Sequence, residues 1–304
     1  MQSGPLELIL IPQVGGRIMG MVWQDHNLSF TQPEREGRVE DLSRIEDLHE
    51  KKREMGFPLW GGDKTWLAPQ TRWTEGVPFL DLDSGDYDLT IEQDGPEVVV
   101  VRMTSPICRE TGIQITRTVT MSSEAQKWIV THRLFNAGSN ETKWGVWDVN
   151  MVLKPGQVYL PRGAGSRYPQ GVKTFTEEGE SINVRNTMVG ELESLAVIRC
   201  IDPKAFKFGV DAQEGWMLAI LEVTGLGLVG YRKQVEVYRD MTYGHGCIAE
   251  VYNSDRYPYF EMEIHGPVVS LRPGESFELE ERQALFDLSR WPQSEDEVRQ
   301  HLIP

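Results

Sequence analysis

Tyr259-Phe-Glu-Met-Glu-Ile-His265, then Arg272-Pro-Gly-Glu275, then Phe277-Glu-Leu-Glu-Glu-Arg-Gln-Ala-Leu-Phe286, is the stretch that decides the fold. In the first segment apolar and polar residues alternate, the period of a strand with two unlike faces. Pro-Gly punctuates it as a turn, and the following run resumes a strand reading. A strand, a tight turn and a second strand make an antiparallel pair.

The same grammar extends outward. Strand readings fall on Leu6–Pro12, Tyr87–Glu92, Glu97–Met103, Ile113–Met121, Trp128–Phe135, Trp144–Leu153, Phe206–Val210, Trp216–Val223 and Cys247–Tyr252. Gln93-Asp-Gly-Pro96 and Asn136-Ala-Gly-Ser-Asn140 supply turns between them. So many short strands with few helical patterns imply a mostly β protein, one large antiparallel β-sandwich spanning 1–304. Two stretches depart from this. Residues 33–56 place Val39, Leu42, Ile45 and Leu48 at near-helical spacing, predicting a helical insertion that ends near Gly56. Residues 294–302 predict a short helix with Ser294 as N-cap and Glu297 three residues on. Both are expected to cover a sheet edge.

The balance of 31 Lys and Arg against 46 Asp and Glu, a net charge of −15, argues against nucleic-acid and anionic-membrane partners. No nucleotide phosphate loop is present, so no cofactor is expected. Residues 1–12 lack the layout of a secretion signal, and no apolar run is long enough to span a bilayer. Cys108, Cys200 and Cys247 are odd in number and widely spaced, which suits reduced core thiols in a cytoplasmic protein. No metal site is expected. The acidic runs Asp81–Asp86 and Glu278–Arg282 lack calcium-loop spacing and read as solvated turn and edge charges.

Tryptophan is concentrated in Phe57-Pro-Leu-Trp-Gly-Gly-Asp-Lys-Thr-Trp-Leu-Ala-Pro-Gln-Thr-Arg-Trp73. With Trp147, the rings of Trp60, Trp66 and Trp73 either line a cleft that takes the C–H faces of a sugar or plug the core. Asp63, Lys64, Gln70 and Arg72 offer hydrogen-bonding heads beside them, and Arg17 follows the Gly15-Gly16 pair in the same sense.

Four segments together resemble the galactose mutarotase-like superfamily, the aldose 1-epimerases and their relatives. They are Leu6 to Ile18 with its glycine pair, the Trp60–Trp73 segment, Leu134-Phe-Asn-Ala-Gly138 leading to Trp147-Asp148, and Val251 to Ser276. The second is similar to a GGxxxWxAPQxxW signature, which marks a branch defined by sequence rather than by activity. The resemblance implies a sugar-binding cleft and a small-molecule carbohydrate partner. It places the family's general base on Glu263, or on Glu261 if the register slips by two. The family's acid histidine falls on Trp147 or Asp148. Tryptophan cannot protonate a ring oxygen, and Asp148 serves only if burial raises its pKa. Mutarotation of glucose or galactose is therefore expected to be weak or absent. His245 and His265 are substitutes from other strands, and the blander reading of each is a satisfied surface or loop histidine. Three functions stay open: a sugar epimerase, a non-catalytic sugar-binding module, and a sandwich that binds protein.

Overall fold

Ile113–Ser122 and Lys127–Asn136 bury every second residue, so each strand turns one face to a core and leaves the other half-exposed. In a computed structural model that describes residues 1–123, 126–163, 165–175, 189–201, 203–211 and 213–302, such strands assemble into two large antiparallel sheets. One has eleven strands and the other ten. Their inner faces pack together through Leu6, Ile115, Val130, Met262, Phe208 and Tyr231, among others. This is the expected mostly β sandwich. Cys108, Cys200 and Cys247 are free and buried. Among the described residues no helix is long and apolar enough to cross a membrane.

Two strands differ from the alternating kind. Thr142–Leu153 and Asp63–Ala68 are buried on both faces, and they pair with each other in the middle of the eleven-stranded sheet. Gly61 and Gly62 start the second of these. A Cβ on Gly61 would lie 2.2 Å from the carbonyl oxygen of Phe30, and one on Gly62 2.6 Å from that of Ile18. Both have positive φ, so only glycine brings this strand so close to its neighbours.

Between the sheets lies a fully buried ionic cluster. Asp63 and Asp148 come from the eleven-stranded sheet; Arg117, His132, Lys233 and Glu281 come from the other. Arg117 pairs with Asp63, and Lys233 with Asp148 and, at 3.0 Å, with Glu281. His132 bonds Thr65 through Nδ1 at 2.8 Å and turns Nε2 toward Asp148 and Glu281 at 3.8 and 3.6 Å.

Several charges therefore sit elsewhere than the sequence suggested. Glu281 is fully buried because it occupies the inward phase of its strand, after Leu279 and before Gln283 and Leu285. Asp81 and Asp83 are buried too: Asp81 accepts a fork of hydrogen bonds from Arg109, and Asp83 accepts from Arg17, Trp66 and Ser84. In the insertion the α-helix is confined to Leu48–Met55, capped by Asp47 and ended by Gly56. Upstream, the Asp41 carboxylate takes the Ser43 amide and tightens Leu42–Arg44 into a 3-10 turn. Val39 is left 62% exposed. At the other end, Ser294 caps the helix Glu295–Arg299, whose Val298 packs on Tyr159 and Trp216 of the ten-stranded sheet.

Candidate functional site

Residues paired across adjacent strands share a face. The register sets Lys64, Val149, Glu263, Glu250, Gly209 and Lys173 in one row across six strands of the eleven-stranded sheet. The row faces away from the ionic cluster. Trp66, Trp147 and His265 form the next row, and Glu261, Tyr252 and Lys207 the row on the other side.

At the centre, the Lys207 ammonium stands 2.7 Å from both the Glu250 and the Glu263 carboxylates. Glu263 also accepts the Trp147 indole N–H at 2.7 Å, on the same oxygen. Glu250 receives His245 Nδ1 at 3.2 Å and lies 3.3 Å from His265 Nε2. The Gln70 amide donates to His245 Nε2, which fixes that ring with its proton on Nδ1, toward Glu250. His265 stacks on Trp147 at 5.5 Å and meets His245 edge-on at 4.7 Å. Glu250, Glu263 and His265 are fully buried, while Lys207, His245, Phe175 and Lys173 form a partly exposed rim.

These surroundings push the groups apart electrically. Burial raises the Glu263 carboxyl to about 8, against the pull of Lys207, and the Glu250 and Glu261 charges add to the rise. Burial also raises Glu250, but Lys207, His265 and the bond from His245 outweigh it and hold it well below the usual carboxylate range. Burial lowers Lys207, yet the two carboxylates more than compensate, and it stays an ammonium. His265 falls to about 4 through burial, partly offset by Glu250.

This carries a stability signature. Glu263 is protonated in the native state up to about pH 8, whereas an unfolded glutamate ionises near 4.3. Its contribution is complete below the unfolded value and is lost as pH rises toward 8. His265 acts in the opposite sense, between about 4 in the native state and about 6.5 unfolded. Between pH 6.5 and 8 only the Glu263 slope of this pair operates, at most about 1.4 kcal/mol per pH unit. Urea denaturation across that window should show stability declining in wild type and the decline removed in Glu263→Gln; equal slopes would refute the assignment.

The structure brings together most of the residues singled out from sequence. Lys64 and Glu263 flank Val149 on one face, and Glu261 is 3.6 Å from the Lys64 ammonium. Trp66, Trp73 and Trp147 pack on one another, with ring centroids 5.1 to 5.4 Å apart, and form a wall whose ring faces are largely taken up by each other. Arg17 is buried behind Trp66, where both donate to Asp83. Gln70 enters through its backbone amide. Arg72 lies apart, exposed and stacked on Trp144. Asp148 does not share the site: it is one residue from Trp147, so its side chain projects from the opposite face into the ionic cluster. Trp147 is the one of that pair that reaches Glu263.

Glu250 and Lys207 were not singled out from sequence. Each is the lone charge among apolar neighbours, in Ala249–Asn253 and Phe206–Val210, although Lys207 reads equally as a solvent-facing lysine.

Ligand atoms of His245, Glu250 and His265 lie within 4.8 Å of one another, a spacing a metal ion would accept. The hydrogen bonds assign them otherwise. With Nε2 accepting from Gln70, His245 Nδ1 is a donor to Glu250, and Lys207 already supplies that carboxylate with a cation. His132, Asp148 and Glu281 are similarly close, and there the cation is Lys233.

Two large antiparallel sheets arranged in this way are the galactose mutarotase-like fold. Solved structures sharing it include a galactose mutarotase-like protein from Lactobacillus casei, at TM-score 0.58 and 10% identity over 94% of this chain and 99% of that one. A galactose mutarotase-like protein from Clostridium acetobutylicum matches at TM-score 0.54 and 11% identity, covering 95% and 94%. A galactose mutarotase related enzyme from Lactobacillus acidophilus matches at 0.54 and 9%, covering 94% and 96%. No family model matches the chain, and no curated protein matches it in sequence.

Proposed function

We propose that this protein binds a small carbohydrate on the outer face of its eleven-stranded sheet and acts there as an aldose epimerase, with Glu263 as its proton-transfer group. One observation carries the reading. Lys64 Nζ, Glu263 Oε1 and Nδ1 of His265 are buried on that one face without a hydrogen-bond partner among the described residues. Leaving such groups unmet costs about 1–3 kcal/mol each, more when they are charged. A donor, a carboxyl oxygen and an imidazole left open together call for a ligand that both gives and accepts hydrogen bonds, as sugar hydroxyls do. The fold shared with mutarotase-like proteins supports the same class.

A second reading, a sugar-binding module without turnover, is favoured by Trp147. It stands where the resemblance expects an acid histidine, and it donates to Glu263 instead.

Replacing Lys64 by Met tests the site. Burial lowers the pKa of Lys64, so its ammonium is a burden to the empty protein that a bound hydroxyl relieves. Lys64→Met should unfold at higher denaturant than wild type yet bind aldoses at least about tenfold more weakly by calorimetric titration. Aldose affinity unchanged by the substitution, or no binding of glucose, galactose, mannose or xylose to wild type at millimolar concentration, would remove the carbohydrate reading.

A further inference from the structure

The sequence leaves one chemical role empty. Interconverting anomers needs a group that takes the proton of the anomeric hydroxyl and one that protonates the ring oxygen. Position 147 is tryptophan, and Asp148 faces the wrong side of its strand. The second group must come from elsewhere on the face.

Resting on the epimerase reading of this site, we propose that His265 is the proton acceptor and that Glu263 is the proton donor. Geometry singles out His265. It pairs directly with Trp147 on the neighbouring strand and stacks on that ring. It lies two residues from Glu263 on the same strand face, about 6.6 Å away along the backbone. Glu250 is the other base available, but three partners occupy it: Lys207, His245 and His265. A proton on His265 Nε2 directed at Glu250 leaves Nδ1 as a free lone pair backed by a carboxylate, the arrangement that orients and strengthens a histidine base. Glu263 in turn has Oε2 committed to Lys207 and Trp147 and Oε1 open.

The protonation states agree. Facing His265 are Glu250, Lys207 and His245 from other elements and Glu263 from its own strand; burial among them keeps the imidazole neutral at pH 7. Glu263 faces Lys207, Glu250 and Glu261 and is protonated at the same pH. A carboxylic acid and a neutral imidazole side by side are a donor and an acceptor ready for use. In the forward step His265 Nδ1 takes the anomeric hydroxyl proton, and the oxygen's electron pair forms the carbonyl. The bond from the anomeric carbon to the ring oxygen breaks, and that oxygen receives the proton of Glu263. Rotation about the adjacent carbon–carbon bond precedes closure on the other carbonyl face. The carboxylate then recovers its proton from the attacking hydroxyl, while the imidazolium returns its own to the carbonyl oxygen.

The experiment follows anomer exchange of glucose, galactose, mannose and xylose by NMR from pH 3.5 to 9.5. Wild type should accelerate at least one sugar, with kcat/KM level between about pH 4 and 8 and falling on both sides. His265→Gln should lose at least tenfold in kcat and lose the acid limb. A rate that climbs through pH 8 would show Glu263 acting as the base and overturn the proposal. If His265→Gln turns over normally while Glu263→Gln does not, His265 is only structural and the epimerase reading survives. Sugar binding with no exchange by wild type would overturn both in favour of a binding module. Nitrogen-15 shifts of the wild-type imidazoles supply an arm that needs no variant: a neutral His265 ring at pH 7 is expected, and an imidazolium there refutes the assignment.

Discussion

Replacing Asp148 by Ala should lower the unfolding free energy by about 3–5 kcal/mol, because it strands Lys233 and Arg117 as buried cations with one carboxylate fewer. In a protein of this size that corresponds to a melting temperature lower by roughly 10 °C. Urea denaturation measures it. Sugar affinity per folded molecule should stay as in wild type, because Asp148 lies on the far side of its strand from Glu263. A stable Asp148→Ala protein that has lost its sugar affinity would instead restore Asp148 to the place that sequence resemblance offered it.

Glu263→Gln should reduce anomer exchange by about 10²–10⁴-fold, the usual worth of a positioned proton-transfer group. The amide keeps the size of the side chain and can still accept from Trp147 and Lys207 through its oxygen, so folding should survive. Exchange rates and aldose affinity measured on the same preparation separate chemistry from binding. Retained affinity with lost exchange is the expected pairing. Full exchange in the variant would move the chemistry away from this carboxyl.

The sandwich was legible wherever a strand has unlike faces. Ile113–Ser122 announces itself through Ile113, Ile115, Val119 and Met121, all buried, with Thr116, Thr118 and Thr120 between them. Asp63–Ala68 was not read as a strand, because burial on both faces erases the alternation. Glu263 could be named because resemblance supplied a register and the period of two gave it a face. The rest of the site could not. Glu250 and Glu263 face each other across one hairpin, but Lys207 joins them only because the distant strand Phe206–Val210 lies beside Ala249–Asn253, and no local pattern encodes that neighbour. The buried charges had a local signal that was read too blandly. Arg117, His132, Lys233 and Glu281 each occupy the inward phase of an otherwise apolar alternation, a place where an ionisable side chain needs a partner.

Because Trp147 and Asp148 are consecutive, the chain has a built-in guard against misalignment. Sliding Thr142–Leu153 by one residue against its neighbours would turn Asp148 outward and drive Trp147 between the sheets, inverting every side chain of the strand. An all-apolar interior would tolerate such a slip, since one aliphatic residue fills space much like another. The ionic cluster does not: only one alignment brings Asp148 and Asp63 opposite Lys233 and Arg117, and every other leaves unpaired charge in the dry interior. The charges hidden on one side of the sheet thus act as a key for assembly, and the alignment they enforce is what delivers Trp147 to Glu263 on the other.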